Sequence, residues 1–211
     1  MKKLVLIGGY LLFLVGCKNN APGKPADIKA IAIQPIGPSN DLKYIQNEVG
    51  AFFHKPIVIL PSVEMPKSAL DTSKGERYSA DTILRELASK ANDQLPIIIG
   101  ITEKDIYTTV RDNKGAIKQP AFRYAVWGIF GLGDCPGRAS IASDFRLHTA
   151  DTARYHHRLR TVVLHELGHN FGLPHCPNPH CIMNDANEKL ATIDNSNNDY
   201  CRACRDKLGL P

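Results

Sequence analysis

Three histidines and one glutamate lie within residues 165–175, which read HELGHNFGLPH. His165 and His169 are four residues apart, so a helix would place them about 40° apart around its axis and one turn along it. Both imidazoles could then reach a single zinc ion at about 2.1 Å. His175 can supply a third ligand if the chain turns back after the helix. Three protein ligands leave a fourth position for water, which is typical of catalytic zinc and not of structural zinc.

Glu166 and Gly172 complete the pattern HExxHxxGxxH. On a helix Glu166 lies about 100° around the axis from His165, which puts its carboxylate beside the metal rather than on it. There it can take a proton from a water molecule on the metal. Gly172 allows a sharp exit from the helix, because glycine tolerates positive φ. The pattern therefore predicts a hydrolase in which Glu166 is the general base.

Four of the six cysteines follow this motif, at positions 176, 181, 201 and 204. Cys201-x-x-Cys204 is half of a common zinc-binding pattern, and Cys176-x4-Cys181 could supply the other half. Four thiolates would form a closed tetrahedral site, which is structural. Two disulfides are the competing interpretation, and a location outside the cytoplasm favours them.

The run from His165 to Cys204 reads HExxHxxGxxHCx4CxMx17CxxC without a gap and resembles the archaemetzincin family of metzincin zinc metallopeptidases. The resemblance implies a catalytic zinc on His165, His169 and His175. It implies a second, structural zinc on Cys176, Cys181, Cys201 and Cys204. It also makes Met183 the methionine of a Met-turn beneath the catalytic metal. The expected activity is hydrolysis of peptide bonds in a peptide or protein substrate.

The elements that must position these residues alternate between strands and helices. Strands are predicted at 28–36, 56–60, 96–101 and 122–130, and helices at 41–53, 79–91 and 151–170. The runs PIVIL and PIIIGI are typical of buried strands, and residues 139–142 are a candidate edge strand for pairing with a substrate. An α/β layered core follows. With the resemblance, we expect a zincin-like fold (α+β in some schemes). It would have a twisted mixed sheet packed with helices, including a long active-site helix, and a small irregular C-terminal zinc subdomain.

The first residues have the features of an export signal. Lys2 and Lys3 precede an apolar stretch, Leu4 to Val15, that is too short to span a bilayer comfortably. The stretch leads into Leu-Val-Gly-Cys, which resembles the bacterial lipobox and implies cleavage before Cys17 and lipidation of its thiol. The alternative is a plain secretory signal with a chance cysteine. Both predict a protein outside the cytoplasm, and the lipobox predicts anchoring to a bacterial membrane, in the periplasm or at the cell surface.

Length and composition indicate one domain, or one domain with a small appendix. We expect a signal peptide at 1–16, a lipid-anchored tether at 17–27, an N-terminal zincin subdomain at 28–172 and a C-terminal subdomain at 173–211. The 211 residues carry a net charge of +5, and no basic run indicates binding of nucleic acid. We expect a monomer. The alternative to an active peptidase is a catalytically weak or latent, zinc-stabilised peptide-binding lipoprotein, which would have no need of Glu166.

Two further residues have open roles. Cys135, in the glycine-rich segment 131–137, could cap the zinc and keep the enzyme latent, or it could be an unreactive loop cysteine. His180 lies between two of the cysteines and could replace one of them as a ligand.

Overall fold

The computed structural model describes residues 23–39, 41–187 and 189–211. Within them the strands are β1 (Ile31–Pro35), β2 (Ile57–Ile59), β3 (Leu70–Asp71), β4 (Arg77–Ser79), β5 (Ile97–Thr102), β6 (Ile106–Thr108), β7 (Trp127–Ile129), β8 (Gly131–Gly133) and β9 (Ala139–Ser143). The helices are α1 (Leu42–Phe53), α2 (Ala80–Lys90), α3 (Ala121–Tyr124), α4 (Thr152–Asn170), α5 (Leu190–Asp194) and α6 (Arg202–Leu208).

A five-stranded mixed sheet lies at the centre, in the order β2-β1-β5-β9-β8. Four strands are parallel, and β8 pairs antiparallel with β9 at one edge. Side chains alternate between the two faces: Ile31 and Ile97 pack into a core with α1 and α4, whereas Ala32 and Ile98 pack against α2. Burial on both faces explains the near-continuous isoleucine runs. The predicted α/β architecture is confirmed.

Helix α4 carries the histidine motif and packs against β8 and β9. It begins after Asp151, whose carboxylate accepts a hydrogen bond from the Arg154 N–H at 3.1 Å. It ends at Asn170, whose side-chain amide donates to the Ala139 carbonyl at 2.7 Å. Gly172 follows with φ +88°, a conformation that glycine adopts without strain. The chain therefore turns sharply after the motif helix, as predicted, and the helix end is tied to the β8–β9 turn.

The segment after Gly172 is mostly irregular, yet it packs into the same core as α4. Leu173, Ile182 and Ile193 are buried there. Nε and Nη2 of the Arg158 guanidinium on α4 donate to the Asp194 carboxylate, at 2.6 and 2.7 Å. This bidentate pair, in which the guanidinium is buried and the carboxylate is partly exposed, holds α5 against α4.

Three expectations about strands were wrong. Residues 139–143 form an interior strand, and the edge is β8, because β8 covers the outer side of β9. Residues 57–59 form the opposite edge, where Val58 is 39% exposed, so the PIVIL run is not a buried strand. Residues 122–130 divide into the end of α3 and the strand β7. The Ala125 N–H donates to the Ala121 carbonyl at 2.9 Å, so the residues after Pro120 form a helical turn and not an extended strand.

A second sheet, β3-β4-β6-β7, joins the first through Phe130, which links β7 to β8. Within the described residues no helix is both long enough and apolar enough to cross a bilayer. Cys17 and the predicted leader lie outside the residues that the structure describes.

Candidate metal centres and active site

The structure brings His165, His169 and His175 together at the end of α4, and their ligand nitrogens all lie within 4.8 Å of one another. The Nε2 atoms of His165 and His169 are 3.1 Å apart. We call these residues the three-histidine cluster.

Hydrogen bonds fix which nitrogen of each α4 histidine faces the cluster. His165 Nδ1 donates to the Ile182 carbonyl at 2.7 Å, and His169 Nδ1 donates to the Leu173 carbonyl at 2.8 Å. Since a carbonyl only accepts, Nδ1 carries the proton in both rings and Nε2 presents a lone pair. His175 has a different partner, because its Nδ1 lies 3.6 Å from a carboxylate oxygen of Asp185.

This arrangement suits zinc. Two lone pairs facing each other across 3.1 Å repel unless a cation lies between them. Two nitrogens on one tetrahedral zinc, each at about 2.1 Å, would lie about 3.4 Å apart. Burial lowers the pKa of His165 to about 3 and also lowers that of His169, so both imidazoles are neutral at ordinary pH, as a ligand must be.

Glu166 lies next to the cluster and is 5% exposed. Burial raises the pKa of its carboxyl to about 8. The edge strand β8 crosses directly over it: a Cβ on Gly131 would lie 2.5 Å from Glu166 Oε1, and one on Gly133 would lie 2.8 Å from the Glu166 carbonyl oxygen. Glycine is therefore required at both positions of β8 for the strand to approach the helix this closely.

Met183 is fully buried under α4. A Cβ on Gly168 would meet Met183 Sδ at 2.4 Å and the Tyr200 hydroxyl at 3.0 Å. Tyr200 donates its hydroxyl to the Leu164 carbonyl at 2.6 Å. Met183 thus lies beneath the turn of α4 that carries His165 and His169, and the absence of a side chain at Gly168 leaves space for its sulfur.

A cavity of about 260 Å³ opens beside Glu166 and the three-histidine cluster. Much of its wall is apolar, with Trp127, Ile129, Val162 and Ile193 among the lining residues. The cavity can therefore receive an apolar group.

Cys176, Cys181, Cys201 and Cys204 form a second group, which we call the four-cysteine cluster. Cys176 Sγ lies 3.7 Å from Cys201 Sγ, and Cys181 Sγ lies 3.8 Å from Cys204 Sγ. A disulfide needs about 2.05 Å, whereas two sulfurs on a tetrahedral zinc at about 2.3 Å lie about 3.8 Å apart. Burial raises the pKa of Cys181 and Cys204, so a cation among the sulfurs is what would stabilise the thiolates.

Hydrogen bonds connect the parts of the chain that carry the two clusters. The Cys176 N–H donates to the Met183 carbonyl at 2.7 Å, and the Asn184 side chain donates to the Cys176 carbonyl at 2.9 Å. The Ile182 carbonyl, which holds His165, follows Cys181 directly. One short segment therefore positions ligands of both groups.

Cys135 and His180, the two residues whose roles were left open, belong to neither the three-histidine cluster nor the four-cysteine cluster. Cys135 donates its thiol to the Leu173 carbonyl at 3.3 Å and does not line the cavity. Burial raises the pKa of this thiol, which disfavours the reactive thiolate. His180 Nδ1 is 3.0 Å from the Asn195 carbonyl oxygen, and the four cysteines meet without it.

Sequence reasoning did not identify the roles of Gly131, Gly133, Asp185 and Tyr200. The sequence pattern could have indicated the role of the two glycines, since two glycines flanking one leucine before a turn indicate close approach of a strand to another element. No sequence pattern indicated the role of Asp185, because its contact with His175 depends on how an irregular segment folds back.

The family model for peptidase family M54 matches residues 42–209. The chain is similar to the archaemetzincin of Archaeoglobus fulgidus, with 29% identity over 179 residues that cover 84% of this chain and 98% of that protein. It is also 30% identical to the archaemetzincin of Methanocaldococcus jannaschii over 191 residues, covering 86% and 93% of the two chains.

Two solved structures have a similar fold. The archaemetzincin of Archaeoglobus fulgidus complexed with malonate superposes with a TM-score of 0.69 and 27% identity, covering 84% of this chain and 99% of that one. The archaemetzincin of Methanopyrus kandleri gives a TM-score of 0.71 at 23% identity and covers 86% and 94% of the two chains.

Proposed function

The chain belongs to peptidase family M54, the archaemetzincins, and is a zinc metallopeptidase; we propose that it cleaves peptide bonds with Glu166 as the general base. In this proposal His165, His169 and His175 hold the catalytic zinc, and the four-cysteine cluster holds a second, structural zinc. The observation that carries it is the pair of Nε2 lone pairs facing each other across 3.1 Å beside a buried carboxylate.

Zinc, when bound, lowers the pKa of a water molecule and polarises the scissile carbonyl. Glu166 takes the proton of the attacking water and then donates it to the leaving amine. Burial raises the pKa of the Glu166 carboxyl in the metal-free protein, and a zinc ion beside it would favour the carboxylate form that accepts the proton. The free edge of β8 offers main-chain N–H and C=O groups to an extended substrate directly above this carboxylate.

Digestion of a peptide library by the zinc-loaded wild type and by Glu166→Gln tests the proposal. Glu166→Gln keeps the volume of the side chain and removes the base, so the rate should fall at least about a thousandfold. Zinc content should stay the same, because Glu166 is not a ligand. Equal cleavage by both proteins would remove Glu166 as the base, and no cleavage by either would favour the alternative of a latent peptide-binding protein.

We infer from residues 14–17 that Cys17 is lipidated and holds the enzyme on a bacterial membrane outside the cytoplasm. Expression of the full chain and of Cys17→Ser, followed by partition into a detergent phase, tests this. The wild type should enter the detergent phase and the variant should not; equal partition of both would contradict lipidation at Cys17.

A further inference from the structure

The segment that leads into β7 forms one end of the catalytic cavity. Trp127 is the first residue of β7 and lines the cavity together with Glu166 and the three-histidine cluster. The strand continues through Phe130 into β8, the edge strand above Glu166. A peptide that lies along β8 and extends past Phe130 therefore reaches Trp127 and the residues around it.

Aromatic rings and cations are stacked at that point. The rings of Tyr124 and Trp127 lie 5.1 Å apart and nearly parallel, at 19°. The Arg123 guanidinium lies 5.1 Å from the Trp127 ring centre, and Lys118 Nζ lies 4.8 Å from that of Tyr124. We call Lys118, Arg123, Tyr124 and Trp127 the aromatic–basic surface.

The two cationic side chains of this surface face solvent. Lys118 and Arg123 are exposed, and within the described part of the chain neither forms an ion pair with a carboxylate. A third cation is close, because Lys74 Nζ donates to the Arg123 carbonyl at 3.2 Å. The rings hold the two cationic side chains in place, so little side-chain entropy is lost when an anion binds.

We propose that the enzyme prefers peptides with an acidic residue on one side of the scissile bond, the side that lies against the aromatic–basic surface. This proposal rests on the peptidase function proposed above and adds the charge of its substrates. A carboxylate on the peptide would pair with Arg123 and Lys118 next to the cavity, while the peptide main chain pairs with β8. Exposed ion pairs are individually weak, so we expect a preference of about tenfold in kcat/KM, expressed mainly in KM.

The test uses the zinc-loaded enzyme and peptides that differ only in one residue, which is Glu, Gln or Lys. That residue is placed in turn at three positions on each side of the cleaved bond. The wild type should cleave the Glu peptide fastest and the Lys peptide slowest, at positions on one side only, and 0.5 M NaCl should reduce the difference. In the double variant Lys118→Gln/Arg123→Gln the ratio of Glu to Gln peptide should fall towards one.

The control is Lys67→Gln/Lys90→Gln, which removes the same charge from exposed positions that do not line the cavity. It should keep the wild-type ratio, and thermal unfolding confirms that both double variants are folded. Equal cleavage of the Glu, Gln and Lys peptides by the wild type would overturn the proposal. The proposed peptidase function is tested separately: absence of cleavage by the wild type would contradict it, and equal cleavage by Glu166→Gln would remove Glu166 as the base.

A membrane surface is the other anionic partner to distinguish, since Phe122 beside Arg123 is 78% exposed. Loss of binding to phosphatidylglycerol vesicles in the double variant, combined with equal cleavage of the three peptides, would assign the surface to lipid and overturn the proposal. The cavity position of Trp127 favours the peptide.

Discussion

Replacement of Gly131 by alanine should separate catalysis from metal binding. The added Cβ would lie 2.5 Å from Glu166 Oε1 and 2.7 Å from its Cγ. Non-bonded heavy atoms normally approach to about 3.5 Å, so the carboxylate or the strand must move by roughly 1 Å. A displacement of that size can lower a rate about a hundredfold, which corresponds to about 2.7 kcal/mol of activation free energy. We therefore expect kcat to fall about a hundredfold.

The assay is cleavage of a fluorogenic peptide at saturating concentration, together with zinc content by elemental analysis. Zinc content should not change, because Glu166 is not one of the proposed ligands. Gly50→Ala in α1 is the matched control: its Cβ would lie 3.3 Å from Ile57 Cγ1, far from the cavity, and alanine favours the helix. If Gly131→Ala keeps kcat within threefold of the wild type, β8 does not hold the base in place and the reasoning is wrong.

The remaining predictions concern the groups around the metals. Cys201→Ser should weaken zinc binding at the three-histidine cluster about tenfold, and Asp185→Asn should do the same because it removes the negative charge beside His175. Asp93→Asn, at an exposed position, is the control and should have no effect. Competition with a chromogenic chelator measures the zinc affinity of all three variants, and an unchanged affinity in Cys201→Ser or Asp185→Asn would contradict the corresponding prediction. In metal-free protein the pKa of Glu166 is raised to about 8, so folding takes up a proton and the stability from this group falls as pH rises from about 4.5 to about 8. Denaturant titration should show the stability of metal-free Glu166→Gln, relative to metal-free wild type, rising from about pH 5 to about pH 8; a constant difference would contradict this.

The sequence predicted the parts of the fold that have a strong hydrophobic or motif signal. Helix α4 follows from the spacing of its motif residues, and the isoleucine strands β1 and β5 follow from continuous apolar runs, because both of their faces are buried. The four strands of the second sheet are two or three residues long, too short for any period to show. The edge strand β8 consists of two glycines and a leucine, so it has no side-chain alternation, although its position above Glu166 is what the site depends on.

The proposed metal ligands were predictable for a different reason. Ligand chemistry requires fixed residue types at fixed spacing, and the structure brings those residues into two clusters. The contacts that orient the ligands were not predictable, because two of them are main-chain carbonyls, of Leu173 and Ile182, that any residue could supply. The third, Asp185, is ten residues from His175 across a segment without a periodic pattern.

The four-cysteine cluster lies beside the segment 173–185, which contributes to both the histidine and the cysteine group. This irregular stretch supplies His175, two cysteines, Met183 and both carbonyls that orient the α4 histidines. A helix or strand would be fixed by its own backbone hydrogen bonds, but an irregular stretch has few, and fixing its backbone costs about 1 kcal/mol or more per residue. A zinc ion bound by Cys176, Cys181, Cys201 and Cys204 would restrict the backbone of this stretch at Cys176 and at Cys181. The hydrogen bond from the Cys176 N–H to the Met183 carbonyl closes the same turn. A structural metal here would therefore hold the catalytic ligands in place, which is why its loss should be measurable at the three-histidine cluster.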